Sequence, residues 1–248
     1  MTAHTAQAAV RGPHRAKWVT ATASIQQSMW LAGGFMLAFL IPVVFADWLE
    51  INRDLYYGIY GAAVISFVAA WARSTGIPLA RLAARRPWLT LALALASSAI
   101  LVLIVYRTDD ATPHPTGLEF AAAIGWRGVF YGAVDGLLLS VFPILTVYAA
   151  FEGRRLRGRG GTVVVALIAL AASLAMTTVY HAGYSDFRGE KIRKPLVGDV
   201  VWSAPTLLTL NPIGAPLAHV SLHTAAVVHG YETETFLPPH AVAADERR

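Results

Sequence analysis

The sequence predicts an all-α fold, a polytopic integral membrane helical bundle with about six to eight transmembrane or re-entrant helices. Of the 248 residues, 56% are hydrophobic and only 14% are charged. Soluble domains carry about 25% charged residues, because their surface faces water. The apolar residues also occur in long runs that short charged loops separate. Together these two observations exclude a water-soluble domain.

Five apolar runs predict confident membrane-spanning helices. The first ends before Asp47 and the second before Arg73. Residues 118–128 precede the fourth run, and Arg127 interrupts them, so we interpret them as a short interfacial or half-inserted segment leading into a helix. In chain order, the five runs cover residues 30–45, 55–71, 88–106, 129–151 and 162–180.

Two further apolar runs, at 200–210 and 217–228, are shorter than the roughly 17 residues that a span needs. Pro205 lies inside the first of them, and the proline-rich segment 211–216 predicts a turn between them. Unpaired backbone groups cannot face lipid. These residues therefore form either a re-entrant hairpin or short helices that the rest of the bundle shields.

The distribution of charge predicts the orientation. The amino-terminal tail and the loops 73–86 and 154–159 are basic, whereas the loops 47–54 and 107–119 are acidic. Because basic loops stay in the cytoplasm, we expect a protein integral to the cell membrane with a cytoplasmic amino terminus.

This orientation divides the chain into three parts. They are a cytoplasmic tail (1–27), a membrane helical domain (28–230) and a polar carboxy-terminal tail (231–248). One loop disagrees, because four basic residues fall on the predicted outer side. Either Asp186 and Glu190 hold that loop against the protein, or one predicted span is wrong. The four residues are Arg188, Lys191, Arg193 and Lys194.

Composition also limits the partners and the chemistry. The net charge of +5 comes from short clusters between apolar runs, not from a basic patch with interleaved aromatics, so we expect no nucleic-acid partner. The chain has no cysteine, which excludes disulfides and thiolate chemistry. We expect membrane lipids as partners, and a membrane protein or peptide as a candidate substrate.

Small residues predict a helix-packing face. Gly128, Gly132 and Gly136 recur every four residues and therefore share one side of a helix. Such spacing lets helix backbones approach closely in lipid.

Ionisable residues at membrane depth are costly and therefore mark functional sites. His219 and His223 are four residues apart and share a helical face, as imidazoles do when both bind one metal ion. His181 could supply a third nitrogen and Asp135 an oxygen if the fold brings them together. The alternatives are that Asp135 hydrogen-bonds a neighbouring helix and that His181 reaches water at its helix end. His229 lies at a helix end, where an imidazole has an ordinary structural role.

Three segments resemble the CPBP family of intramembrane proteases, the CAAX-protease and bacteriocin-processing type. Trp126-Arg127-Gly128-Val129-Phe130-Tyr131-Gly132 resembles its aromatic-Arg-Gly stretch. Val179-Tyr180-His181 and Pro216-Leu217-Ala218-His219-Val220-Ser221-Leu222-His223 resemble its two histidine motifs. The resemblance covers residues 118–230. It implies a helical intramembrane bundle in which the three histidines converge on one cavity.

The chain departs from that family at one point. A pair of glutamates activates the attacking water in the family, and the corresponding positions here are Ala122 and Ala123. Glu119 lies one turn earlier, and Asp135 lies further along the chain.

Two functional hypotheses follow. The first is a metal-dependent intramembrane hydrolase in which His181, His219 and His223 bind a divalent metal such as zinc. Its catalytic residues would be Glu119 or Asp135 as the base, together with Arg127. The second is a catalytically inactive relative that binds a peptide, a lipid or a partner helix. A transporter is less favoured, because the sequence shows no internal repeat.

Overall fold

The computed structural model describes residues 21–151, 158–232 and 236–238. Helices and loops account for all of these residues, with no strand among them, which confirms the predicted all-helical class. The basic residues Arg154, Arg155 and Arg157, and most of both predicted tails, lie outside the described residues.

Ten α-helices follow one another in the described residues, and short loops or π-helical turns connect them. They are α1 (Ala21–Ile41), α2 (Arg53–Thr75), α3 (Leu79–Ala83), α4 (Pro87–Thr108), α5 (Gly117–Ala123), α6 (Tyr131–Gly136), α7 (Phe142–Phe151), α8 (Gly158–Ala182), α9 (Arg193–Thr209) and α10 (Gly214–His229).

Local sequence signals explain several helix ends. The Asn52 side chain accepts a 2.9 Å hydrogen bond from the Asp54 amide and so caps the start of α2. Gly76 ends α2 in the left-handed conformation at φ 69°, which glycine adopts without steric cost. Pro87 occupies the first turn of α4, where its missing N–H leaves no bond unmade.

Five helical segments are long and apolar enough to cross a membrane, in agreement with the five predicted spans. They are Ser24–Trp48, Arg53–Thr75, Pro87–Thr108, Gly117–Phe151 and Gly160–Ala182. Large apolar side chains such as Leu95 and Leu167 are exposed on these helices, as lipid-facing residues are.

The segment before the fourth span differs from the sequence prediction. Helices α5, α6 and α7 form one continuous helix of 35 residues, joined by the π-helical turns Ile124–Phe130 and Leu137–Val141. Arg127 does not interrupt this helix, because its guanidinium makes two hydrogen bonds to the Asp54 carboxylate, at 2.7 and 2.8 Å. Residues 118–128 are therefore the first part of this helix and not a separate segment.

One end of the bundle, here called the basic end, collects the start of α1, the end of α2 and the end of α7. Ser24 Oγ donates to the Ala150 carbonyl at 3.1 Å, and Gln26 Nε2 donates to the Ser74 carbonyl at 3.2 Å. The loop 76–86, which carries Arg81, Arg85 and Arg86, belongs to the same end.

The opposite end, here called the acidic end, collects the loops 48–52, 109–116, 183–192 and 230–232. The Ser185 amide donates to Asp47 Oδ1 at 3.1 Å, and the Thr112 amide donates to the His229 carbonyl at 2.9 Å. The Glu232 amide donates to Thr112 Oγ1 at 2.9 Å. The acidic loops predicted to share one side of the membrane therefore share one end of the bundle.

Helices α9 and α10 run between these two ends. The turn between them lies at the basic end, where Asn211 Nδ2 donates to the Ala83 and Arg85 carbonyls at 2.9 and 2.8 Å. Helix α9 starts from the acidic-end loop 183–192, and α10 returns to that end at His229. Helices α4, α6 and α8 pack around them, as expected of short helices that the rest of the bundle shields. Helix α9 also begins seven residues earlier than the predicted apolar run.

The anomalous basic loop has an explanation in the fold. Arg188 forms a 3.1 Å ion pair with Asp47, which belongs to the end of the first span. Arg193 and Glu190 approach only to 4.0 Å, and both are exposed. Asp47, at the end of the first span, therefore holds Arg188 at the acidic end, and the ion pairs of the described residues do not join Arg188 to Asp186 or Glu190.

Candidate metal centre

The closest helix contact in this region joins α6 to α10. A Cβ added at Gly132 would lie 2.8 Å from Val220 Cα, and one at Gly136 would lie 2.7 Å from Pro216 Cα. A Cβ at Gly128 would lie 3.0 Å from Thr224 Cα. The three glycines therefore lie against the backbone of α10. This approach brings side chains on the flanks of the two helices within reach of each other.

Asp135 from α6 and His219 and His223 from α10 form one buried group. Asp135 Oδ2 lies 3.2 Å from His219 Nε2 and 3.6 Å from His223 Nε2. The two imidazole rings are nearly parallel, with centroids 4.9 Å apart. All three residues are at most 3% exposed. One ligand atom from each lies within 4.8 Å of the others, so the group could hold a metal ion.

Two of the three spacings in this group are close to those of tetrahedral coordination. Zinc–ligand distances of about 2.0–2.1 Å put neighbouring ligand atoms about 3.3 Å apart at tetrahedral angles. The two separations from Asp135 Oδ2 are near this value, whereas the three ligand atoms together spread to 4.8 Å, so the side chains would have to close on an ion. Two neutral imidazoles and one carboxylate are also a ligand set that zinc accepts.

His223 is the member of this group whose hydrogen bonding is least satisfied. Its Nε2 and Nδ1 atoms are buried without a hydrogen-bond partner among the described residues. A separation of 3.6 Å from Asp135 is too long for a hydrogen bond. The Phe236 backbone lies close to this ring, without a bond of good geometry. A buried imidazole without partners is costly, and an ion between it and Asp135 would satisfy it.

Aromatic side chains enclose the group. Trp202 from α9 packs on the His219 ring with centroids 4.3 Å apart. The Tyr131 ring meets the His223 ring edge-on at 4.8 Å. Tyr60 from α2 donates a 2.6 Å hydrogen bond to Asp135 Oδ1. The carboxylate is therefore held on one side by a phenol and faces the imidazoles with its other oxygen.

A network of tyrosine hydroxyls extends from this group toward the acidic end. The Tyr131 and Tyr180 hydroxyls lie 2.6 Å apart, and those of Tyr180 and Tyr184 lie 2.7 Å apart. Tyr56 and Tyr184 hydroxyls also lie 2.6 Å apart. Because these side chains are buried and mutually hydrogen-bonded, they form a rigid wall behind Asp135.

The other predicted site residues are not among these three ligands. His181, near the end of α8, lies close enough to interact electrostatically with Asp135, but its Nδ1 lies 2.8 Å from the Thr177 carbonyl one turn earlier. Arg127 pairs with Asp54 and donates to the Tyr231 hydroxyl at 3.0 Å. Glu119 is exposed at the start of α5. Sixteen residues of helix separate it from Asp135, a distance of about 24 Å along the axis.

Some contributors were not predicted from the sequence. Tyr60 contacts Asp135 directly, yet a tyrosine in an apolar run is not by itself distinctive. The available signal was spacing, because Tyr56 and Tyr60, like Tyr180 and Tyr184, are four residues apart and share a helical face. His229, expected to be structural, stacks on Tyr106 with centroids 4.1 Å apart.

Comparisons with protein-family models, with curated proteins and with solved structures found no match for this chain. The resemblance to CPBP proteases therefore stays a prediction, and the assignment of a function depends on the chemistry of the site.

Proposed function

We propose that this protein is a metal-dependent intramembrane hydrolase. Asp135, His219 and His223 would hold a divalent cation such as zinc. The observation that carries the proposal is His223, whose two ring nitrogens are buried without partners while one of them faces the Asp135 carboxylate at 3.6 Å. In a membrane interior, such a group calls for a ligand.

The number of protein ligands favours a catalytic metal ion over a purely structural one. Three protein ligands leave one position of a tetrahedral ion for water or substrate, as in catalytic zinc sites. When bound, such an ion would supply a Lewis acid and acidify that water. Tyr60 would fix the Asp135 carboxylate through Oδ1 while Oδ2 faces the ion. Partners of this kind orient metal ligands and strengthen binding.

The resemblance to CPBP proteases suggests the substrate class, a peptide bond in or near the membrane. In the proposed orientation, the protein is integral to the cell membrane and its basic end faces the cytoplasm. The aromatic walls formed by Trp202 and Tyr131 would exclude bulk water from the centre.

One observation favours a second candidate, a protein that binds a peptide, a lipid or a partner helix without chemistry. Ala122 and Ala123 stand where the family has its glutamates, and the Ala123 side chain packs among the apolar residues around Ala226. If Asp135 serves as a ligand, it is no longer free to act as the base. Metal binding is common to both candidates, and only a cleavage assay separates them.

Metal analysis of the purified protein tests metal binding, which both candidate functions share. After equilibration with zinc and removal of excess, we expect about one ion per chain in the parent, as three protein ligands on one tetrahedral ion imply. His223→Gln and Asp135→Asn should each lose most of it. His181→Gln is the matched control, since this histidine lies outside the group, and it should keep its zinc. A parent protein that binds no zinc would overturn the proposal.

Cleavage then tests hydrolysis. The zinc-loaded protein in lipid vesicles is offered a panel of single-span peptides, and the products are identified by mass spectrometry. Cleavage by the parent that is absent in His223→Gln and retained in His181→Gln supports a hydrolase. Zinc binding without cleavage of any peptide would instead support the non-catalytic candidate.

A further inference from the structure

A second buried polar cluster lies where the π-helical turn Leu137–Val141 meets α8 and α9. Its centre is Asp199, whose side chain is fully buried. The serines Ser140, Ser173 and Ser203 surround it, one from each of the three segments, and each is fully buried as well. An ionisable group at such depth is rare and marks a binding site or a pathway for ions.

Hydrogen bonds join these oxygens tightly. Ser203 Oγ donates to Asp199 Oδ1 at 2.6 Å, and Ser173 Oγ lies 3.0 Å from the same oxygen. Ser173 Oγ also lies 2.7 Å from the Leu139 carbonyl oxygen. The Ser140 and Ser203 hydroxyls lie 2.6 Å apart. π-helical turns alter backbone pairing and recur at functional sites. Here such a turn contributes a backbone oxygen.

Two oxygens at this cluster have no hydrogen-bond partner. Asp199 Oδ2 is buried without one, and so is the Thr177 hydroxyl. Thr177 lies one helical turn after Ser173, and its hydroxyl lies beside the same carboxyl group without a hydrogen bond of good geometry. In the described part of the chain, no cationic side chain forms an ion pair with Asp199. A bare carboxylate oxygen away from water loses its solvation free energy in the membrane interior, which is unfavourable unless a ligand replaces the water.

We propose that this cluster binds a sodium ion. The ligands would be Asp199 Oδ2, the Thr177 hydroxyl and oxygens of the surrounding serines and of Leu139. Carboxylate, hydroxyl and carbonyl oxygens are hard ligands, which suit an alkali cation, and membrane proteins bind Na⁺ with such backbone and side-chain oxygens. A single carboxylate balances one positive charge, whereas calcium sites commonly combine several carboxylates.

A proton is the simplest competitor for the same carboxylate. On Oδ2, a proton would need an acceptor, and the Thr177 hydroxyl is the neighbouring oxygen without a partner. A proton on Oδ1 would instead leave Oδ2 without a hydrogen-bond partner. A sodium ion between Oδ2 and the Thr177 hydroxyl would satisfy both oxygens, as would a proton on Oδ2 that is donated to Thr177. The experiment separates the two occupants, because only one of them depends on the sodium concentration.

The sodium site does not depend on the proposed hydrolase. Asp199 and Trp202 lie three residues apart on α9, and Trp202 packs on His219 of the metal centre. Sodium binding is therefore expected to act on the metal centre through α9, while the two sites keep separate ligands. Zinc content and sodium response are measured independently, so one can fail without the other.

The test is a thermal melt of the purified protein in detergent at constant ionic strength, with choline chloride replaced by NaCl or by KCl. At a sodium concentration ten times the dissociation constant, linkage favours the folded state by a factor of about 11, which raises Tm by about 3–6 °C. Binding of radioactive sodium to the same sample gives the stoichiometry, expected near one ion per chain.

Three variants decide the assignment. Asp199→Asn and Thr177→Val should each abolish the sodium-dependent rise in Tm. Thr177→Val is the sharper variant, because it removes a neutral ligand and leaves the Asp199 carboxyl group in place. Ser221→Ala is the matched control, since its hydroxyl bonds to Ser98 away from this cluster, and it should respond as the parent does.

Equal Tm values for the parent in sodium, potassium and choline would overturn the proposal and identify Asp199 as a protonated structural residue. A sodium response that persists in Thr177→Val would also overturn it. If Asp199→Asn does not fold, the parent and Thr177→Val still decide the question.

Discussion

Tyr60 donates a 2.6 Å hydrogen bond to Asp135 Oδ1, on the side of the carboxylate away from the two imidazoles. Tyr60→Phe removes this bond and leaves a buried carboxylate oxygen without a partner. We expect the free energy of unfolding to fall by about 1.5–3 kcal/mol. We also expect zinc affinity to fall by about 10–100-fold, because such partners orient the ligand. Denaturant melts and zinc titration measure the two effects.

Tyr57→Phe is the matched control, because the Tyr57 hydroxyl is buried on the same helix without a hydrogen-bond partner. It should leave stability unchanged or raise it slightly. Equal losses in the two variants would mean that the Tyr60 bond contributes nothing beyond ring packing.

Gly132→Ala tests the close approach of α6 and α10. The added methyl would lie 2.8 Å from Val220 Cα, so the helices must separate. We expect a loss of about 1–3 kcal/mol in stability and weaker zinc binding. Gly125→Ala is the control, because nothing lies within 4 Å of its added methyl. A Gly132→Ala protein with the parent's Tm and zinc content would contradict the role of this contact.

Arg127→Gln tests whether Arg127 is structural. Arg127 makes a two-pronged ion pair with Asp54, and its side chain is only 17% exposed. We expect a loss of about 1–2 kcal/mol, since the Asp54 side is partly solvated, and full retention of zinc. Arg193→Gln, whose exposed partner is 4.0 Å away, should be neutral. Loss of zinc from Arg127→Gln would mean that Arg127 acts on the group of Asp135, His219 and His223, which its contacts with Asp54 and Tyr231 do not indicate.

Single cysteines test the orientation without background, because the chain has none. His114 and Arg85 are both exposed, at the acidic and basic ends respectively. In intact cells, an impermeant maleimide should label His114→Cys and not Arg85→Cys, which should react only after the cells are opened. The reverse pattern would invert the proposed topology.

Hydrophobicity alone predicted the five long helices, because lipid selects for apolar runs of fixed length. It failed at α9, where Lys194, Pro195 and Asp199 made a helix resemble a loop. Lys194 is exposed at the start of the helix, and Ser173 of α8 bonds Asp199 Oδ1. A single sequence does not record such neighbours. The same limit applies to Asp199. Its spacing of four residues from Ser203 indicates a shared helical face, but only the tertiary fold brings Ser173 of α8 to the same carboxylate.

The candidate site was predicted in part. The spacing of His219 and His223 predicted a shared helical face, and the structure joins them to Asp135, which the sequence marked as costly in lipid. His181 was included by resemblance, and the fold directs its Nδ1 to the backbone of its own helix. Long-range pairings such as Tyr60 with Asp135 depend on tertiary packing, which no local pattern encodes.

The short length of α9 and α10 bears on how the protein is made. These helices have 17 and 16 residues and carry Asp199, His219 and His223. Each such residue opposes partitioning from the translocon into lipid. We therefore expect both helices to enter the membrane as a pair, against a scaffold that α1 to α8 have already assembled. Until then Asp135 has no imidazole beside it, so completion of the metal centre would coincide with the last step of insertion.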